Sequence, residues 1–362
     1  MNYVGIDIHK RYSVCVAQDE RGRRLGEARI EGNLAVGFAQ FFRSLGGKSR
    51  VVIEACWNWQ AIYDRLERIE QIESISVANP YKTRLIAEAQ IKTDRLDANG
   101  LATLLRGNFI APVHVPGRQA RARKNVLRQR LYWARLRTRI RNRTHALLDR
   151  QQEIQLPQCS DVFGARGRSF LRQLELAKPD AYLLGEDMEL LELIGRQIKE
   201  QEKHIGAGNQ HDALSRRLQS LPGMGLILSA VAAAEIDSIE RFNSAEKLCA
   251  YAGLVPSTYS SGGNTWHGRM LPFCNKWLRW AFIEAAWVAV GCSGYFGSFY
   301  RRQRARGKKS NTAITIVARR MCRIAWSLLR EGRDYNAQPP PKHATNSPVA
   351  PREDWRLRSA TT

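Results

Sequence analysis

The N-terminal third of the chain alternates short apolar runs with charged or turn-forming breaks. Val4–Asp7 and Tyr12–Ala17 read as two strands around a turn at Ile8–Arg11, and a third run near Gly26–Ile30 follows the charged turn Asp19–Arg24. Asn33–Leu45 changes period: Phe38, Phe41, Phe42 and Leu45 fall on one helical stripe. Val51–Glu54 reads as the next strand, Ile62–Ile69 as a helix, and Ser74–Val77 as a further strand before Asn79-Pro80. Strands first, then a βαβ continuation, predict an α/β domain opened by three antiparallel strands.

The period becomes helical and stays so beyond Pro112 and Pro116, which mark a linker. Val126–Arg150 carries Trp133, Leu136, Ile140 and Leu147 at helical spacing, and Pro157, Gly164 and Gly167 interrupt the pattern. A second long helix places Leu184, Met188, Leu191, Ile198 and Ile205 near heptad spacing with acidic residues between them. An antiparallel helical hairpin is the simplest reading of the pair. The expected organisation is an α/β domain over 1–111, an arginine-rich helical region over 112–212, a mainly helical domain over 213–335, and a disordered tail over 336–362. The fold class is therefore α/β plus α.

Charge narrows the function. Fifty-seven Lys and Arg against 34 Asp and Glu leave a formal net charge of +23, while 44% hydrophobic residues suffice for folding. Such an excess points to a polyanion, nucleic acid before membrane, bound with strong salt dependence. No apolar run approaches the roughly 18 residues a membrane helix needs. The chain opens directly on a strand-like run without a signal-peptide pattern, which suggests a cytoplasmic protein. Seven cysteines without a Cys-x-x-Cys pair, in apolar settings such as Cys15, Cys249 and Cys322, read as reduced thiols and not as disulfides or zinc ligands.

Against that basic background, four carboxylates stand out: Asp7, Glu54, Asp94 and Asp97. Asp7 ends Tyr3-Val4-Gly5-Ile6-Asp7, and Glu54 ends Val51-Val52-Ile53-Glu54. Asp94 and Asp97 are spaced to share one helical face. A carboxylate at the end of each of two buried strands, plus a helical pair, is how a ribonuclease-H-like domain builds a divalent-metal site. Magnesium suits such oxygen ligands, and a two-metal arrangement would stabilise attacking and leaving oxygens at phosphorus. The plainer alternative is neutralisation of these acids by Arg95 or Lys10.

Three further stretches carry candidate chemistry. Arg128, Arg130, Arg135, Arg137, Arg139, Arg141 and Arg143 crowd one helix, for polyanion contact or as a salt-bridged structural arm. Leu221-Pro222-Gly223-Met224-Gly225 resembles the turn of a helix-hairpin-helix, where Gly223 and Gly225 would let backbone N–H groups approach a phosphate; an ordinary turn is the alternative. Ser260-Ser261-Gly262-Gly263 follows a helix expected to be capped by Asn243, with Glu246 at the capping-box distance. A serine before two glycines lies on closely approachable backbone, yet such a run is commonly a plain loop. As a nucleophile it would need a base or metal, and His267 nearby reads as a phosphate contact or a surface residue.

Taken together, the residues from Tyr3 to about Tyr335 resemble the DEDD-type insertion-sequence transposases that use a bridge RNA, and the related Piv-type DNA invertases. The anchors are Gly5-Ile6-Asp7, Ile53-Glu54-Ala55, Lys92 through Ala98, Leu221 through Gly225, and Gly253-Leu254-Val255-Pro256 through Ser261-Gly262. The resemblance implies a RuvC-like N-terminal domain, a coiled-coil insertion and a C-terminal transposase domain. It implies magnesium on Asp7, Glu54, Asp94 and Asp97, and a nucleophile at Ser261, with Ser260 adjacent. Attack on a DNA phosphate would give a 5′-phosphoserine intermediate and a free 3′-hydroxyl. The implied partners are DNA, a guide RNA and further copies of the chain, dimers joining into a tetramer whose different subunits supply serine and carboxylates. Trp277-Leu278-Arg279 keeps the family pattern, with Arg279 a phosphate ligand, and Arg269, Arg301, Arg302, Lys308 and Lys309 extend the basic surface. After Gly268-Arg269, however, the family's Lys and Gly before Asn give way to Met270-Leu271-Pro272-Phe273-Cys274-Asn275, with Lys276 shifted. A metal-dependent nuclease similar to a Holliday-junction resolvase is the enzymatic alternative, and a non-catalytic nucleic-acid scaffold the other.

Overall fold

Strand alternation sets the first layer. β1 (Asn2–Ile8) buries Val4 and Ile6 on one face and turns Gly5 and Asp7 to the other. β2 (Tyr12–Gln18) and β3 (Arg24–Glu31) follow as an antiparallel meander, Ile6 opposite Cys15 and Cys15 opposite Ala28. After α1 (Ala35–Ser44) the chain returns parallel to β1 as β4 (Ser49–Glu54), with Gly5 opposite Val52 and Ile6 opposite Ile53. Then α2 (Trp59–Leu66) leads into β5 (Ile72–Ala78), parallel to β4. The result is a five-stranded mixed sheet in the order β3-β2-β1-β4-β5. Its three opening antiparallel strands are those the residue pattern predicts. The computed structural model describes residues 1–86, 93–151, 154–270 and 273–336, without the side chains of 84–86 and 267. The expected tail beyond Asn336, and Lys92, Leu271 and Pro272 of the quoted motifs, lie outside the described residues.

Each sheet face has its own core. Phe38, Phe42, Ile62 and Leu66 of α1 and α2 pack on Val4, Ile6, Cys15, Val51 and Ile53. Short α3 (Pro80–Ile86) precedes α4 (Asp94–Arg106), which covers the opposite face. There Ala98 meets Val14 and Val16, and Leu101 meets Val52 and Ala78. One glycine permits this layer. A Cβ on Gly5 would lie 2.0 Å from the Ala98 carbonyl oxygen and 2.6 Å from the Ala102 nitrogen. No side chain fits between strand and helix there, so α4 rests on bare backbone.

A second compact unit begins at Arg118, after Gly117. It opens with α5 (Arg118–Asp149), α6 (Ala165–Gln173) and α7 (Lys178–Asn209). Ion pairs Arg130–Glu202, Arg143–Asp187 and Arg150–Asp180 run in opposite senses along α5 and α7, so the two 32-residue helices are antiparallel. Ile140, Ile194 and Ile198 fill the seam between them. Helices α8 (Ala213–Gln219), α9 (Leu226–Ile236) and α10 (Ala245–Tyr251) follow, then a hairpin of β6 (Pro256–Ser261) and β7 (Asn264–Met270). Finally α11 (Lys276–Cys292), α12 (Gly294–Ala305) and α13 (Ser310–Glu331) close a core around Leu218, Met224, Phe282, Phe296 and Met321. Among the described residues, no helix is long and apolar enough to cross a membrane.

One local expectation is corrected, and one loop takes a definite form. The cap of α10 is Ser244, whose hydroxyl accepts from the Lys247 N–H at 3.3 Å, and not Asn243. The helix thus starts one residue later than expected, with Leu248 and Cys249 buried on its inner face. The Ser-Gly-Gly run ends a strand and makes a hairpin turn. Gly262 and Gly263, with φ of +57° and +80°, form the two-residue connection of the β6–β7 hairpin, where Ser261 pairs with Asn264. Two consecutive positive φ angles suit the hairpin turn that matches strand twist.

The close fit at Gly5 yields a test. Gly5→Ala is expected to lower stability by about 3 kcal/mol, the upper range for overpacking. Gly100→Ala, in α4 where an added Cβ meets nothing within 4 Å, should be neutral or stabilising by about 0.5–1 kcal/mol. Urea denaturation of both variants checks this; equal stabilities would refute the fit.

Candidate active site

Asp7 shares the α4-facing side of β1 with Gly5, two residues earlier. Glu54 shares with Val52 the same side of β4, so the two acids end adjacent parallel strands. There α4 begins: Thr93 caps it by accepting from the Leu96 N–H at 3.2 Å, which puts Asp94 and Asp97 in its first turn. The positive end of the helix favours both acids. Asp7 and Asp94 come together with a residue the motif reading passed over, His9. One ligand atom from each lies within 4.8 Å of the others. His9 Nε2 is 3.0 Å from Asp7 Oδ2 and 3.3 Å from Asp94 Oδ1. Tyr12 donates its phenolic hydrogen to Asp94 Oδ2 at 2.9 Å. Asp97 and Glu54 are not part of this tight group. Asp97 reaches Asp7 through its charge, and Glu54 holds the neighbouring strand end.

Burial pushes the Asp7 carboxyl above the usual carboxylate range, the charges of Asp94 and Asp97 add to this, and His9 opposes it. Arg95 does not neutralise the cluster, since it turns to Glu27 at 3.0 Å, and Lys10 is exposed. Carboxylates crowded at a half-buried edge fit a divalent cation, which would offset desolvation and mutual repulsion at once. The only sequence signal for His9 is its place two residues after Asp7 at a strand end. Tyr12 gave none, because its partner lies 82 residues away.

In the second unit, the arginine-rich helix divides its charges. Arg128, Arg130, Arg141 and Arg143 face Glu235, Glu202, Asp161 and Asp187, as in a salt-bridged arm. Arg135 lies 4.9 Å from the centre of the Trp277 ring, while Arg139 is exposed. Arg137 is held below its ordinary value by burial and by the neighbouring Arg141 and Arg130. Glu235, 4% exposed, collects Lys124 Nζ at 3.2 Å, Arg128 and the Asn275 amide at 2.9 Å. Asn275 in turn caps α11 through the Leu278 N–H and also donates to the Tyr251 hydroxyl. Sequence reading missed this network because its members are scattered from α5 to α11.

Gly223 (φ +83°) faces α11, a Cβ there falling 2.2 Å from the Ala285 carbonyl oxygen; packing accounts for this glycine without a phosphate. Gly225 is open, at the start of α9. Arg279 Nε donates to the Ala252 carbonyl at 3.4 Å, beside Gly253. Ser260 and Ser261 are exposed at the hairpin tip, where Ser260 pairs its hydroxyl with Thr265 at 3.3 Å. Arg269, Arg301, Arg302, Lys308 and Lys309 are exposed, the last four around the α12–α13 turn.

Two family models match in succession: one described as Transposase, of the DEDD IS110 type, over residues 4–152, and one described as Transposase IS116/IS110/IS902 family over 215–301. The chain belongs to the IS110/IS116/IS902 transposase family. A putative transposase, y4qE of Sinorhizobium fredii, is 27% identical, covering 91% of this chain and 89% of its own. The 43.6 kDa protein of insertion element IS110 from Streptomyces coelicolor is 32% identical over 41% of this chain and 37% of its own. A pilin gene-inverting protein of Moraxella bovis is 29% identical over 33% of this chain and 38% of its own. The matched part of this transposase-family chain thus spans little more than a third of the Streptomyces and Moraxella relatives.

Two tests follow from this geometry. Because the Asp7 pKa is raised in the folded chain, its contribution to stability is complete at low pH and lost as pH rises through the folded value. In chelator at pH 8, Asp7→Asn should therefore melt higher than wild type, and the gap should close near pH 4; a lower melting point at pH 8 refutes it. Glu235→Ala strands Lys124 and Arg128 against a buried edge and should cost about 3–5 kcal/mol in denaturant titration. An effect below about 1 kcal/mol, that of an exposed pair, would refute that role.

Proposed function

We propose that the chain is a DNA recombinase that cuts and rejoins the DNA of its own insertion sequence, with Ser261 as nucleophile and a bridge RNA as guide. The observation that carries this reading is the meeting of Asp7 and Asp94 at the edge of the sheet, in a strongly basic transposase-family chain. Acids crowded there are chemically useful to a phosphate-binding protein only with a cation. Asp7, Glu54, Asp94 and Asp97 would hold it, as magnesium ions. Bound there, the metal supplies Lewis-acid polarisation of a DNA phosphate and stabilises charge on the attacking and leaving oxygens.

The remaining work falls to the chain. Ser261 is exposed at a tight hairpin, and a Cβ added to the adjacent Gly262 or Gly263 would meet nothing within 4 Å among the described residues. Its Oγ forms a bond to phosphorus as the bond from phosphorus to O3′ breaks. The serine gives up a proton and the departing oxygen gains one, leaving a 5′-phosphoserine and a 3′-hydroxyl. Reversal by another 3′-hydroxyl rejoins strands without an external energy source. Arg279, seated beside Gly253, is the candidate phosphate ligand near the hairpin. Exposed Arg139, Arg269, Arg301, Arg302, Lys308 and Lys309 contact nucleic-acid backbone, DNA or guide RNA. The antiparallel α5–α7 pair serves as a coiled-coil arm, and copies of the chain assemble as dimers into a tetramer that unites serine and carboxylates.

A denaturing-gel assay for a covalent protein–DNA adduct tests this. Wild type, Ser261→Ala, Ser260→Ala and Asp7→Ala are incubated with element-junction DNA, co-expressed RNA and magnesium. The expected result is an adduct with wild type and Ser260→Ala, and at least a 100-fold loss with the other two, on the order of removing a nucleophile or a metal ligand. Free cut DNA without adduct, unaffected by Ser261→Ala, would make the chain a hydrolytic nuclease of the resolvase type. Unchanged target choice after nuclease removal of the RNA would refute the guide.

A further inference from the structure

The ligands assigned above are all oxygens, yet the side chain that bridges Asp7 and Asp94 presents a nitrogen. His9 is not a loose surface ring. It stacks on Tyr12 with ring centres 4.7 Å apart and planes 29° from parallel. The Arg29 guanidinium lies 3.5 Å over the same tyrosine ring, and Arg29 is itself held by Glu31. From the backbone side, the His9 carbonyl accepts from the Asn33 amide at 3.0 Å and the Asn58 amide at 3.3 Å. Asn33 is fixed in turn by buried Ser13 at 2.6 Å. The two amides pin the His9 backbone and Tyr12 packs on its ring, with Nε2 between two carboxylates.

The geometry points to His9 as a further ligand of the divalent ion held by Asp7 and Asp94, forming a mixed nitrogen–oxygen centre that accommodates Mn2+ as well as Mg2+. The inference rests on the metal reading of the carboxylates and adds a nitrogen ligand to it. Nε2 is the atom that a cation shared by Asp7 and Asp94 would meet, because it already contacts both. Imidazole nitrogen binds first-row transition ions well, whereas Mg2+ prefers oxygen and gives up water reluctantly. Mn2+ is a first-row ion that carboxylate and water ligands also suit. Tyr12 is a positioning residue: its hydroxyl orients Asp94 while its ring steadies His9.

The test uses the full chain and Mn2+ as probe, read by electron paramagnetic resonance. Pulsed measurement on wild type should show coupling to a directly bound nitrogen, and His9→Gln should lose it. Free-ion titration should show Mn2+ affinity falling at least about tenfold in His9→Gln, with Mg2+ affinity, read by competition, changed far less. Wild-type Mn2+ without nitrogen coupling, where Asp7→Asn still abolishes binding, would overturn the role of His9 and leave the oxygen site standing. Equal Mn2+ binding by wild type and Asp7→Asn would overturn both. The wild-type spectrum decides the point even where His9→Gln fails to fold.

Discussion

The acidic edge depends on how closely a helix can lie on a strand. Gly5 lets α4 rest on the backbone of β1, and this contact carries Asp94 to Asp7. A methyl group at Gly5 would meet a carbonyl oxygen of the helix, not a yielding side chain. Helix position and acid position are therefore a single constraint. The cost appears at Asp7, where burial and two like charges disfavour ionisation. Such local destabilisation is common at sites built to receive a cation.

A different constraint governs the second unit. Its first helix carries more cations than one face can leave unpaired, and α7 and α9 supply matching acids in Glu202, Asp187 and Glu235. Most of that positive charge along α5 consequently serves internal order. Glu235 is the clearest case: one buried acid accepts from α5 and from the capping residue of α11. Exposed cations include Arg139 on α5 itself, Arg269, and Arg301, Arg302, Lys308 and Lys309 around the α12–α13 turn. Salt sensitivity of nucleic-acid binding would therefore reflect fewer contacts than the net charge of +23 suggests.

Glycine plays opposite parts in this chain. At Gly5 and Gly223 its missing side chain admits another backbone. At Gly262 and Gly263 it supplies left-handed conformations with open space around them. Composition marks all four alike. Only packing separates the glycine that seats a helix from the one that leaves a serine approachable.

Amino-acid order by itself determined the strand meander, the βαβ continuation, the two long helices and the positions of Asp7, Glu54, Asp94 and Asp97. Those features rest on periodicity and on residues close in sequence, which local sterics and hydrophobic burial translate directly. Tertiary structure decided what lies beside them. The pairing of Asp94 with Tyr12 and His9 spans more than eighty residues, and the Glu235 network reaches from α5 to α11. Distant partners leave no period, because their contact is made by helix and strand packing and not by the local chain.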